Sequence, residues 1–161
     1  DLFYGHDKKG VIITRRILRR LKFDNESITE IEILVKEHMN VLNKPTEISV
    51  KHLINRTSVK LIFSLFALQR ADALGSRFPQ IRLDQINGVE KQTIDIIESK
   101  APLSIKELAI NGKDLMRKFS IKPGIELGIM LKYLLEIVLE NSEFNTKEKL
   151  LSIIYDKYYK N

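Results

Sequence analysis

Helical periodicity dominates this chain. From Lys8 to Lys22, Val11, Ile13, Ile17, Leu18 and Leu21 fall on one half of a helical wheel. Lys8, Lys9, Arg15, Arg16, Arg19, Arg20 and Lys22 fall on the other half, with Ile12 the misfit. Ser27-Ile-Thr-Glu30 reads as a capping box opening a helix through Ile31, Leu34, Val35 and His38, and Asn43-Lys-Pro45 ends it. A short helix is predicted over Val50 to Asn55. A second, over Ser58 to Leu74, is apolar almost all round and should be central and buried, with Gly75 and Pro79 closing it. Further helices are expected from Leu83 to Ser99, after a second capping box at Ser104-Ile-Lys-Glu107, and over Asp114 to Phe119. Two more are expected from Pro123 to Glu140 and from Asn145-Thr-Lys-Glu148 onward. No segment alternates cleanly for more than four residues, so the predicted fold class is all-α. The expected organisation is a bundle-like body over 1–100, incomplete at its N-terminus, and a smaller helical tail over 101–161, divided at Lys100-Ala-Pro102.

Composition sharpens this picture. The chain has 161 residues, 43% of them apolar, enough for one ordinary core. It has no Cys, which excludes disulfides and thiolate zinc sites and fits a cytoplasmic location. The longest apolar stretch, Leu61 to Leu68, is too short to span a bilayer, so no membrane partner is expected. The chain starts at Asp1 with its first Met at Met39, which reads as a piece of a longer protein.

Charge placement says more than total charge. The net charge is +6, while Lys8 to Lys22 alone carries seven basic residues and no acidic one. Such an arc can lie along a phosphate backbone and release counterions, and arginine binds phosphate through two parallel bonds. The competing reading is a solvated helix face. A membrane-surface helix is disfavoured, because no Trp or Phe lies between Lys8 and Lys22. A second cationic group gathers Lys113, Arg117, Lys118 and Lys122 where short helices begin and end. Its plain reading is that Gly112 ends a helix, Asp114 caps the next, and Gly124 and Gly128 allow close packing. Neither capping nor packing requires Lys113. The tail offers Tyr155, Tyr158, Tyr159, Lys157 and Lys160, suited to stacking on bases or to covering the edge of the core.

His6-Asp7 invites comparison with the metal phosphohydrolases of the HD type. These need a first His, an adjacent His-Asp pair and a distant Asp, holding an ion that makes hydroxide from water. Only His6, His38 and His52 are present, only five residues precede His6, and two lysines follow Asp7. A metal role for that pair is disfavoured. Asp72, on the helix expected to be buried, needs a partner: Arg70, Arg77, a His or a helix end.

Several stretches in order resemble one family. "FYGHDKKGVIITRRILRRLKFDN", "ILVKEHM" and "LFALQRADALG" are similar to the later part of the HD-like helical region of bacterial tRNA nucleotidyltransferases, the CCA-adding and poly(A) polymerase family. "PLSIKELAINGKDLM" and "IKPGIELGIMLKYLLEIVLENSEFNTKEKLL" resemble that family's C-terminal helical domain. The resemblance implies that His6 is the histidine of a Gly-His-x-x-x-Gly stretch, that the true His-Asp pair lies upstream, and that Asp7 is an ordinary variable position. It also implies that His38 and Asp72 match the family's later His and Asp, a remnant of a metal set. Family members add CMP and AMP to the tRNA 3′ end in a head domain, where an Asp-x-Asp holds two Mg²⁺ and CTP or ATP is consumed. No Asp-x-Asp occurs here. The expectation is therefore a tRNA-binding, non-catalytic part of such an enzyme, with no cofactor of its own. The rivals are an HD-type phosphohydrolase and a helical dimerisation module; oligomeric state, a homodimer included, stays open.

Overall fold

The computed structural model describes residues 6–160, with side chains from Lys9 onward. Eight α-helices and two 3₁₀ turns account for the regular structure, and no strand occurs among the described residues. The fold is all-α, as the periodicity predicts. Two compact units meet in sequence at Ile97 and Glu98.

The first unit contains α1 (His6–Arg20), α2 (Asn25–Glu37), α3 (Glu47–Thr57), α4 (Ile62–Leu74) and α5 (Pro79–Glu98). Lys22 adopts φ 60° and the Phe23 amide donates to Leu18 O at 3.0 Å, so a left-handed residue closes α1 without a glycine. α2 starts earlier than the sequence suggests. Asp24, not Ser27, is its N-cap: the Ser27 amide donates to Asp24 Oδ1 at 2.8 Å and the Ser27 hydroxyl to Oδ2 at 2.6 Å. A charged acceptor outcompetes a hydroxyl at the positive end of a helix. Glu30 is thereby released from its predicted capping role.

α3 is longer than Val50 to Asn55, because Thr46 and Ser49 form a capping box at its start. α4 begins at Ile62 rather than Ser58, since Ser58, at φ 83°, is the C-cap of α3. Its burial is one-sided. Ile62, Leu65, Phe66, Gln69 and Ala73 are buried, whereas Phe63, Leu68 and Leu74 are exposed. Apolar composition all round is therefore not matched by burial all round. Pro79 opens α5 instead of closing α4, in keeping with the tolerance of a first turn for proline. The core of this unit is Ile28, Val50, Leu53, Ile54, Ile62, Leu65, Phe66, Ile86 and Val89.

The second unit contains the 3₁₀ turn Ile105–Glu107, α6 (Gly112–Phe119), α7 (Ile125–Glu140), the 3₁₀ turn Ser142–Phe144 and α8 (Lys147–Tyr158). α7 supplies Met130, Leu134, Leu135, Val138 and Leu139 to a core completed by Leu103, Leu108, Ile110, Leu115, Leu150 and Ile154. Gly112 does not end a helix. It opens α6 behind the N-cap Asn111, and Asp114 is the third residue of that capping box. A Cβ on Gly112 would meet Leu127 Cδ2 at 3.1 Å, so its bare Cα lets α6 settle on α7. Gly124 and Gly128 have nothing within 4 Å of a notional Cβ and serve no such approach. The second predicted capping box yields only a 3₁₀ turn. Glu107 reaches back to the Leu103 amide at 3.0 Å, but Ser104 makes no side-chain cap bond.

Asn145 does not cap α8; Thr146 does. The Asn145 carboxamide instead accepts from the Ala109 amide at 2.7 Å and donates to Glu107 O at 3.0 Å, tying the 103–110 segment to the loop before α8. Replacing Asn145 with Ala removes both bonds at once and should cost about 1–3 kcal/mol, at 0.5–1.5 kcal/mol each. Urea unfolding of the variant checks this. Asn145→Asp keeps the acceptor and should recover about half of the loss.

A candidate nucleic-acid interface on the first helix

α1 and α2 form a hairpin joined by Leu21 to Asp24. Gly10 faces Val35, and Arg15 pairs with Glu32, so the two helices run in opposite directions. Val11, Thr14 and Leu18 are half-buried, whereas Ile13, Ile17 and Leu21 are exposed. The apolar half of the wheel is wider than the strip a single neighbouring helix covers. Ile12 sits among the cations and is 70% exposed.

The cations fall into two groups. Arg15 is committed to Glu32: its Nη2 donates to Glu32 Oε2 at 2.6 Å and its Nε to Oε1. Glu32 is only 8% exposed. Hydrogen bonding from Arg15 holds the Glu32 carboxyl below its ordinary range despite burial, and the same bonds raise Arg15. Lys9, Arg16, Arg19, Arg20 and Lys22 are exposed and are absent from every ion pair among the described residues. The reason lies on α2, whose other carboxylates are engaged elsewhere. Glu26 and Glu30 both take Lys60, and Glu37, 3% exposed, takes Arg56 at 3.2 Å and Asn40 at 3.0 Å. The Lys8 side chain, also expected in this arc, lies outside the described residues, as do those of His6 and Asp7.

The second cationic group is partly neutralised. Asp114 accepts from Arg117 at 3.1 Å and from Lys147 at 3.2 Å. The Asn111 amide, followed by Lys147, holds the Asp114 carboxyl low. Lys113, Lys118 and Lys122 are exposed and take part in no ion pair among the described residues. The free amides of Lys113 and Asp114 are taken by Asn111 Oδ1, at 2.9 and 3.3 Å, which leaves the start of α6 capped.

Of the metal remnant His6, His38 and Asp72, the His6 side chain lies outside the described residues. His38 Nδ1 meets Val35 O at 2.6 Å, and Asp72, which is exposed, pairs with Arg82 at 2.8 Å. Arg70, one of the partners expected for Asp72, turns to Glu90 and Asn87. No group of three or more His, Asp or Glu side chains able to hold a metal occurs among the described residues.

One feature of the second unit was not legible as a unit. Phe119 stacks on Tyr159 at 4.8 Å and 10° between planes, and Tyr159 lies against Tyr155 at 6.5 Å and 12°. The i,i+4 spacing of the tyrosines is visible in the chain; the arrival of Phe119 from α6 is not.

The Arg15–Glu32 pair has a pH signature. A carboxylate lowered by folding contributes stability that is fully present above its unfolded pKa and lost as pH falls through its folded value. Glu32→Gln should therefore lower Tm by several degrees near pH 7, and the gap to wild type should close on acidification below about pH 4. Thermal melts across that range test it; a gap independent of pH would show that the charge of Glu32 is irrelevant.

The tRNA nucleotidyltransferase domain 2 family matches residues 12–154. An A-adding tRNA nucleotidyltransferase of Deinococcus radiodurans is 28% identical over 141 residues, covering 83% of this chain and 31% of the relative. The chain thus spans under a third of the length of that relative. No solved structure matches it. None of its helices is long and apolar enough to cross a membrane among the described residues. Matched over all but the ends of its length, this chain belongs to the tRNA nucleotidyltransferase domain 2 family.

Proposed function

We propose that this chain is the tRNA-holding part of a tRNA nucleotidyltransferase and positions tRNA while nucleotides are added to the 3′ end elsewhere in the enzyme. The observation that carries this reading is the unpaired arc of Lys9, Arg16, Arg19, Arg20 and Lys22, on a helix whose neighbour has committed its carboxylates to other cations. Five cations free of direct ion pairs along one helix and its closing turn can follow a phosphate backbone, and each phosphate neutralised releases counterions. Membership of the family and the name of the Deinococcus radiodurans relative support RNA as the polyanion.

Arg15 plays a different part. Its bonds to Glu32 fix α1 on α2 and so hold the arc in place. Lys113, Lys118 and Lys122 form a secondary cationic group on the second unit. The chain carries no Asp-x-Asp, so transfer itself, with its Mg²⁺ and CTP or ATP, is assigned to a head domain outside these residues. The cytoplasm is the compartment where that substrate is met.

Binding of a tRNA transcript at several salt concentrations tests the reading. Wild type should bind with a steep negative slope of log K against log salt. Changing Arg16, Arg19 and Arg20 together to Ala should weaken binding for every tRNA sequence alike and reduce that slope by up to about three. Unchanged affinity and slope, in a variant with wild-type Tm, would remove α1 from the interface. A wild-type chain that turns over a chromogenic phosphodiester with added Mn²⁺, and does not bind tRNA, would favour phosphohydrolase chemistry instead.

A further inference from the structure

We infer that the aromatic row Phe119–Tyr159–Tyr155 is a stacking platform for an unpaired base of the RNA, with Tyr155 presenting the receiving face. The inference rests on the tRNA-holding reading and adds a second kind of contact to it, on the second unit.

Three observations carry it. The rings are nearly parallel along the row, at 10° and 12° between successive planes, so they form a stepped surface rather than an edge-to-face cluster. Edge-to-face and offset packing both serve a core, but an open flat face at the end of a row suits a further ring. The row is also outside the core: Tyr155 is 53% exposed and Tyr159 41%. Both tyrosines thus keep about half of their surface in solvent, while Phe119 is half-buried. Finally, the row draws on two helices. Phe119 comes from α6, the two tyrosines come from α8 and its C-cap, and an open concavity of 380 Å³ lined by Glu126, Ile129, Met130, Tyr158 and Tyr159 lies beside it.

Charge selects the occupant. Lys118 precedes Phe119, Lys122 follows it closely, and Lys157 and Lys160 flank the tyrosines. Lys160 is paired with Asp156 at 3.2 Å, and Lys157 lies 3.3 Å from the Tyr133 ring centre, so part of this charge is moderated. Lys118 and Lys122 join no ion pair among the described residues. Glu126 lines the adjoining concavity, so the surroundings are mixed in charge with an excess of lysine in the neighbouring sequence, and a nucleotide presents a flat π-face and a phosphate together. Base stacking on an aromatic side chain tolerates any base, which suits a protein that must accept many RNAs.

The chain contains no Trp, so Tyr155→Trp installs a single indole at the receiving face. Titrating that variant with a tRNA transcript should quench and shift its emission, while a blunt, fully paired RNA duplex should leave emission unchanged. Tyr155→Ala should weaken tRNA binding at least about tenfold and Tyr155→Phe should keep wild-type affinity. Wild-type affinity in Tyr155→Ala, with the wild-type chain still binding tRNA, overturns the platform and leaves the cationic arc standing. Loss of all tRNA binding by wild type overturns both. Equal quenching by the duplex overturns base stacking. A dimer in light scattering that Tyr155→Ala dissociates, at unchanged tRNA affinity, reassigns the row to self-association.

Discussion

The first unit depends on where α2 spends its carboxylates. Four of them line that helix, and they are given to three cations from different places: Glu26 and Glu30 to Lys60, Glu32 to Arg15 and Glu37 to Arg56. Glu32 and Glu37 are nearly buried, so their partners are obligatory; a buried carboxylate without a cation or donors would be costly. Once these pairs are made, Glu32 is the α2 acid whose field still reaches another α1 cation, Arg19, and Arg19 forms no direct ion pair with it. Lys9, Arg16, Arg19 and Arg20 are left exposed, and their exposure goes with the same interactions that fix the hairpin. Fold and candidate interface are here one electrostatic arrangement.

The second unit reaches order by shorter means. α7 is the apolar axis, and two polar devices hold the loops to it. Asn145 spends both ends of its carboxamide on the backbone of the 103–110 segment. Asp114 is at once part of the capping box of α6 and the acceptor for Arg117 and Lys147. Such multiply used side chains suit a unit of this size, whose core is too small to fix long loops by burial alone. The close seat of α6, permitted at Gly112, also carries Phe119 to the tyrosines of α8.

Helix existence was legible in the chain, because periodicity of apolar positions is a local property. Helix starts were less so. Ser27 and Asp24 both satisfy a capping pattern, and the choice between them turned on which acceptor carries charge. Ser58 reads as a start in the sequence, but its φ of 83° makes it the C-cap of the helix before. The cationic arc could be read from spacing, but its division into Arg15 and the unpaired remainder could not. That division depends on Glu32, seventeen positions away on another helix. The one-sided burial of α4 escaped for a similar reason: composition reports what a face could bury, and only packing reports what covers it. The aromatic row needed a ring from a separate helix, and nothing in the sequence pairs Phe119 with Tyr159.

The side chains in the arc also constrain what it can do. Between Lys9 and Lys22 there is no Asn, Gln, Asp or Glu, the residues that commonly read adenine and cytosine edges. Thr14, the one hydroxyl there, is half-buried. Lysine and arginine that contact phosphate set register and orientation on the backbone and carry no sequence information directly, although either can read guanine where its edge is open. A-form RNA hides its base edges in a deep groove and offers its phosphates and 2′-hydroxyls instead. An arc of this composition suits recognition of shape over sequence. On the proposed reading that is the useful property, because a protein that serves many tRNAs must respond to what they share, their fold, and ignore what distinguishes them.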